Sequence, residues 1–166
     1  MFAFWAEILR GSVIQMDYSP LWISMKVALT ATSVTFVLGL LAARFVLSLK
    51  KLRLFVDGIF SLPMVLPPTV VGFFLLILFG KNSAVGRFLM QMGINVLFTW
   101  QGAAIAAAVV SFPIMYRTSL GAFEQVDKNL IYAARTLGMS EGTLFFKVLL
   151  PSSLPGIAAA TILAFA

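Results

Sequence analysis

The chain has 166 residues, 61% of them hydrophobic and 11% charged, with a mean hydropathy of +1.02 and a net charge of +6. A water-soluble domain of this composition would expose a large apolar surface, so the class is integral membrane protein. With no Cys and no His, disulfides, thiolate nucleophiles, imidazole bases and the usual zinc sites are excluded, and no cofactor is expected.

The acids Glu7, Asp17, Asp57, Glu124, Asp127 and Glu141 are scattered, and none lies deep in an apolar run. That argues against a carboxylate pair for catalysis and against a proton relay. The basic residues gather at the ends of apolar segments rather than along one face, which fits membrane topology and not nucleic-acid binding.

Residues 1–20 read as an amphipathic, extracytoplasmic lead carrying Glu7, Arg10 and Asp17, without the basic start and apolar core of a cleaved signal. From residue 21 onward the chain reads as one all-α, polytopic transmembrane domain. The first span is expected from Leu21 to about Leu47, beyond the roughly 20 residues a bilayer requires. Ala31, Thr35, Gly39 and Ala43 recur on every fourth position and predict a small-residue stripe for close helix packing. Arg44, Lys50, Lys51 and Arg53 crowd the turn that follows.

The second span, about Leu54 to Gly80, contains Pro63, Pro67 and Pro68. At about 1.5 Å per residue, the last two lie roughly 20 Å into it. Missing N–H donors and ring clashes predict a break or kink there. Backbone groups freed at that depth must be covered by protein or meet a wet cavity, so Pro63, Pro67, Pro68, Thr69 and Gly72 are candidates for a translocation path. A packing kink without substrate contact is the equally weighted alternative.

Residues 81–100 read as a loop with a short interfacial helix, with Trp100 at the membrane boundary. The third span is expected from Gln101 to Tyr116, closed by Arg117, with a kink at Pro113. A polar loop follows, and Leu154 to Ala166 is read as a fourth, incomplete span of 13 residues. The turn after the first span and this polar loop, which carries Arg117, Lys128, Arg135 and Lys147, both belong on the cytoplasmic side. The loop between them holds only Lys81 and Arg87, so the N-terminus is expected outside.

Within the polar loop, about residues 117–151, Ala133, Ala134 and Leu137 share one helical face. Gly138 is placed for a left-handed cap, Ser140 for the N-cap of the next helix, and Glu141 for its positive end. Pro151 and Pro155 are expected to interrupt that second helix. The spacing of Ala133, Ala134, Gly138, Val148, Leu150 and Pro151 resembles the cytoplasmic loop of ABC-importer membrane subunits. Tyr132 stands where that family usually has Glu, and Val148 where it usually has Ile. A membrane-surface helix-turn-helix is the plain alternative.

Residues 62–72, the run Phe98-Thr99-Trp100-Gln101-Gly102-Ala103, and Ser111-Phe112-Pro113 narrow the likeness. Together with the loop they resemble the molybdate-type permeases of the molybdate, tungstate and sulfate importer group. The resemblance implies a type I ABC-importer permease fold and a loop that docks on a separate ABC ATPase. It also implies a second permease copy enclosing the path and an extracytoplasmic oxyanion-binding protein. The location it implies is the bacterial inner membrane, among lipid. Family members continue beyond the position of Ala166, so a C-terminal truncation is expected. The alternatives are a sulfate or tungstate permease, or a membrane scaffold or channel that needs no ATPase; a membrane enzyme ranks last.

Overall fold

A computed structural model of the chain describes residues 18–49, 51–93 and 96–166. Most of the expected amphipathic lead, and Lys50 in the first basic turn, lie outside those residues. All regular structure among the described residues is helical: α1 (Ser19–Ser48), α2 (Arg53–Val65), α3 (Pro68–Phe79), α4 (Ala84–Gln91), α5 (Trp100–Glu124), α6 (Lys128–Thr136) and α7 (Glu141–Phe165).

The small-residue stripe of α1 is what fixes the centre. Ala31, Thr35, Gly39 and Ala43 are all buried, and they bring α1 close along α5. A side chain at Gly39 would start 2.7 Å from Met115 Cγ and 3.3 Å from the Tyr116 amide, so only hydrogen fits at this crossing. Thr35 spends its hydroxyl on the Ala31 carbonyl at 2.9 Å, which lets a polar residue sit in the seam. The two helices run parallel: Lys26 near the start of α1 lies over the ring of Trp100 at the start of α5, at 3.9 Å. Parallel neighbours need an intervening crossing, and α2 with α3 supplies it.

That crossing is broken, as the prolines predict. The chain bends by 103° between α2 and α3, at Leu66 and Pro67. Pro63 is accommodated inside α2, in its last turn, and the break falls at Pro67 and Pro68, where two consecutive donors are missing. The interfacial helix expected between residues 81 and 100 is α4, N-capped by Ser83 through the Gly86 amide at 2.8 Å.

Two expected boundaries move. α5 does not close at Arg117 but runs through Pro113 and on to Glu124; Arg117, half exposed, is held along the helix by partners on α2. The segment starting at Leu154 is the last part of one continuous helix of 25 residues from Glu141, long and apolar enough to cross a membrane. Pro151 and Pro155 therefore do not interrupt it. Residues Phe145–Leu149 form a π-helical turn, with the Leu150 amide donating to Phe145 O, so the register is already loosened where Pro151 lacks a donor. α7 returns against α5, Gly156 facing Ala122, and Phe123, Leu144, Phe145, Leu149 and Ile157 close the core between them.

Candidate functional site

The polar loop folds as the local signals require. Asp127 caps α6 by accepting from the Asn129 amide at 2.9 Å, and α6 ends at Thr136. Gly138 follows with φ of 73°, the left-handed conformation that L side chains rarely adopt. Its amide donates to Arg135 O and that of Met139 to Ala134 O, so the last carbonyls of α6 are satisfied at the corner. Ser140 then caps α7 through the Thr143 amide at 3.3 Å. Arg135 donates to Glu141 across the corner at 3.0 Å, an exposed pair that trims its angle more than it stabilises it.

The shared face expected for Ala133, Ala134 and Leu137 is divided. Ala134 is 4% exposed and belongs to the core with Leu144 and Phe145, whereas Ala133 points outward, Tyr132 is 58% exposed and Leu137 76%. Val148 and Leu150 are half-buried against the core, and Pro151 is exposed. Tyr132, Ala133 and Leu137 thus make an apolar, outward surface on the corner, while Ala134, Val148 and Leu150 turn to the core.

Of the candidate path residues, Thr69 and Gly72 line a cavity of about 510 Å³ between α3, the residue 96–99 turn and the start of α5. Pro63, Pro67 and Pro68 do not line it; the latter two make the bend that opens it. The Val70 and Val71 amides both turn onto the Pro67 carbonyl, at 2.9 and 3.2 Å, and neither Pro67 nor Pro68 has an N–H. The start of α3 therefore offers few donors beyond Thr69. Across the cavity, the Thr99 hydroxyl donates to Val96 O at 2.9 Å and accepts from the Gly102 amide at 3.3 Å, capping α5. The Phe-Thr-Trp-Gln-Gly run is thus a helix start: cap, boundary tryptophan and first turn.

Sequence reasoning missed a polar cluster between α2 and α5. Tyr116 donates its hydroxyl to Asp57 Oδ1 at 2.9 Å, and Arg117 donates to Ser61 Oγ at 2.8 Å and to Asp57 Oδ2 at 3.4 Å. Nearby, Arg53 at the start of α2 pairs with Glu124 at the end of α5. The available signal was Asp57 and Ser61 four residues apart on one helical face, the spacing that lets one partner touch both. No group of acids that could hold a metal occurs among the described residues.

Among the described residues, three helices long and apolar enough to cross a membrane, a fourth possible crossing broken at two prolines, and a polar two-helix corner define a helical, polytopic membrane protein. The chain belongs to the family of binding-protein-dependent transport system inner membrane components, whose pattern it matches over residues 35–166. It is 37% identical over 154 residues to the molybdenum transport system permease protein ModB of Haemophilus influenzae, covering 91% of this chain and 67% of that one. To the Escherichia coli K12 protein of the same name it is 49% identical over 111 residues, 66% of this chain and 48% of that one. To the sulfate transport system permease protein CysT of Salmonella typhimurium it is 38% identical, over 68% of this chain and 41% of that one. The chain spans between about two fifths and two thirds of the length of these relatives.

Proposed function

We propose that the chain is the membrane-spanning subunit of an ATP-driven oxyanion importer, with molybdate as the cargo. The observation that carries this reading is the corner at Gly138, which presents Tyr132, Ala133 and Leu137 outward while Ala134 is buried in the core. Such a surface suits docking into a groove on a separate ABC ATPase, and a chain without catalytic side chains needs that partner to hydrolyse ATP. Tyr132 in place of a carboxylate makes the contact one of apolar area and a hydroxyl rather than of charge. Val148, Leu150 and Pro151, on the first turns of α7, pass the motion of the corner into the membrane.

In this reading the corner faces the cytoplasm, the N-terminus lies outside, and a second copy of the chain completes the path. An extracytoplasmic binding protein delivers the anion. The break at Pro67 and Pro68, with Thr69 and Gly72 on its wall, lies along the path, and closure of paired ATPases rocks the spans between inward-open and outward-open states. Few fixed donors at α3 suit a path that must release its ion. The names of the molybdenum permeases support molybdate; the CysT similarity keeps sulfate as the second reading.

The test is uptake in cells lacking their own molybdate permease and sulfate permease, with the chain expressed alongside a molybdate-type ATPase and binding protein. Uptake of molybdate in excess of sulfate is expected. Uptake of sulfate alone, or none of either with the protein present in the membrane, overturns the reading.

A further inference from the structure

A second cavity, of about 800 Å³, lies where the ends of α1 and α5 meet the polar corner. Nothing in the transport reading uses it. Its lining carries Arg44, Arg53, Lys128 and Arg135 against Glu124 and Glu141. Arg53 pairs with Glu124 and Arg135 with Glu141, so two cations are left over. The Arg44 guanidinium lies over the Phe145 ring at 4.0 Å, and neither it nor Lys128 has a carboxylate partner among the described residues. Asp127, next to Lys128, is turned to the Asn129 amide.

The other wall is apolar. Leu41 and Phe45 line the cavity and are also exposed on the outer side of α1, continuous with Leu38 one turn earlier. One mouth of the cavity therefore opens onto this exposed apolar face of α1. A basic floor joined to an exposed apolar wall fits a ligand with an anionic head and apolar tails, and the volume falls in the range of small-molecule sites.

We infer that this cavity holds the headgroup of an anionic phospholipid of the cytoplasmic leaflet. The phosphate meets Arg44 and Lys128, and the upper acyl carbons lie along Leu41 and Phe45. The site bridges α1 to the corner, so a bound lipid would tie the docking loop to the membrane. The inference rests on the orientation proposed above, which puts this end of the bundle in the cytoplasmic leaflet.

The experiment is lipid titration of the chain in phosphatidylcholine nanodiscs with increasing phosphatidylglycerol, the retained lipid being counted by native mass spectrometry. Lys128→Gln, on an exposed helix start where folding is not at stake, should weaken phosphatidylglycerol retention about fivefold, and adding Arg44→Gln should bring the loss to about 25-fold. Lys147→Gln, exposed on the same end but outside the cavity, should change nothing. Equal losses for Lys128→Gln and Lys147→Gln would reduce the effect to diffuse surface attraction and overturn the site. So would an unaffected double variant, or displacement of the lipid by millimolar inorganic phosphate. Because the readout is lipid held by the chain itself, a negative result leaves ATPase docking and transport untouched, and failed transport leaves the lipid result standing.

Discussion

Asp57 holds two partners at once, and they differ in how much they depend on it. The Tyr116 ring is fully buried, packed edge-on against Phe60 at 5.3 Å, so its hydroxyl has no water to turn to. Arg117 is half exposed and keeps its bond to Ser61. Asp57→Ala should therefore cost about 1–3 kcal/mol, the penalty of an orphaned buried hydroxyl, read as a lower thermal midpoint in detergent. Tyr116→Phe removes that hydroxyl and should make Asp57→Ala much cheaper in the double variant. Additive losses would mean that the hydroxyl and carboxylate do not act as a pair. Local signals at this scale were legible: Gly138 and Ser140 do at the corner what their types dictate within three residues of themselves. Asp57 with Tyr116 was not, since 59 residues separate them and only the packed register of α2 on α5 brings them together. The same limit explains Ala134. Spacing put it beside Ala133 and Leu137, but only the position of α7 decides that it faces inward.

The element that the prolines shape is the pair α2 and α3. The break was legible because a missing N–H is a local fact, and its place, at Pro67 and Pro68 rather than Pro63, follows from two adjacent donors being absent there. Its size, 103°, was not, because the angle is set by how α3 lies against α4 and the start of α5. The absence of native cysteine makes the bend measurable: spin labels at Ile59→Cys and Phe74→Cys should lie clearly closer than the ~22 Å of a straight helix with that spacing. A separation at or beyond that value would mean the crossing is not sharply bent. The boundaries of α5 and α7 escaped sequence reading for a related reason. Arg117 looks like a helix end and Pro151 like a helix stop when each is read alone. Partners on α2 and the π-helical turn of α7 remove both reasons to stop.

At the scale of the molecule, composition and the distribution of Lys and Arg gave the membrane class and a topology in which the parallel pair α1 and α5 requires one crossing between them. The bundle has that form. The proposed docking rests on the surface of the corner, where two residues three positions apart are buried differently. Leu137 is exposed and free to contact a partner; Ala134 is inside, and a charge there would unfold the corner itself. The most direct test is co-purification of the chain with a molybdate-type ATPase, comparing the unaltered chain with Leu137→Glu and checking that both have the same thermal midpoint. Docking through the corner predicts capture by the unaltered chain and at least a tenfold loss, about 1.4 kcal/mol or more, for Leu137→Glu at unchanged stability. Capture that ignores Leu137→Glu, or no capture at all, would contradict it.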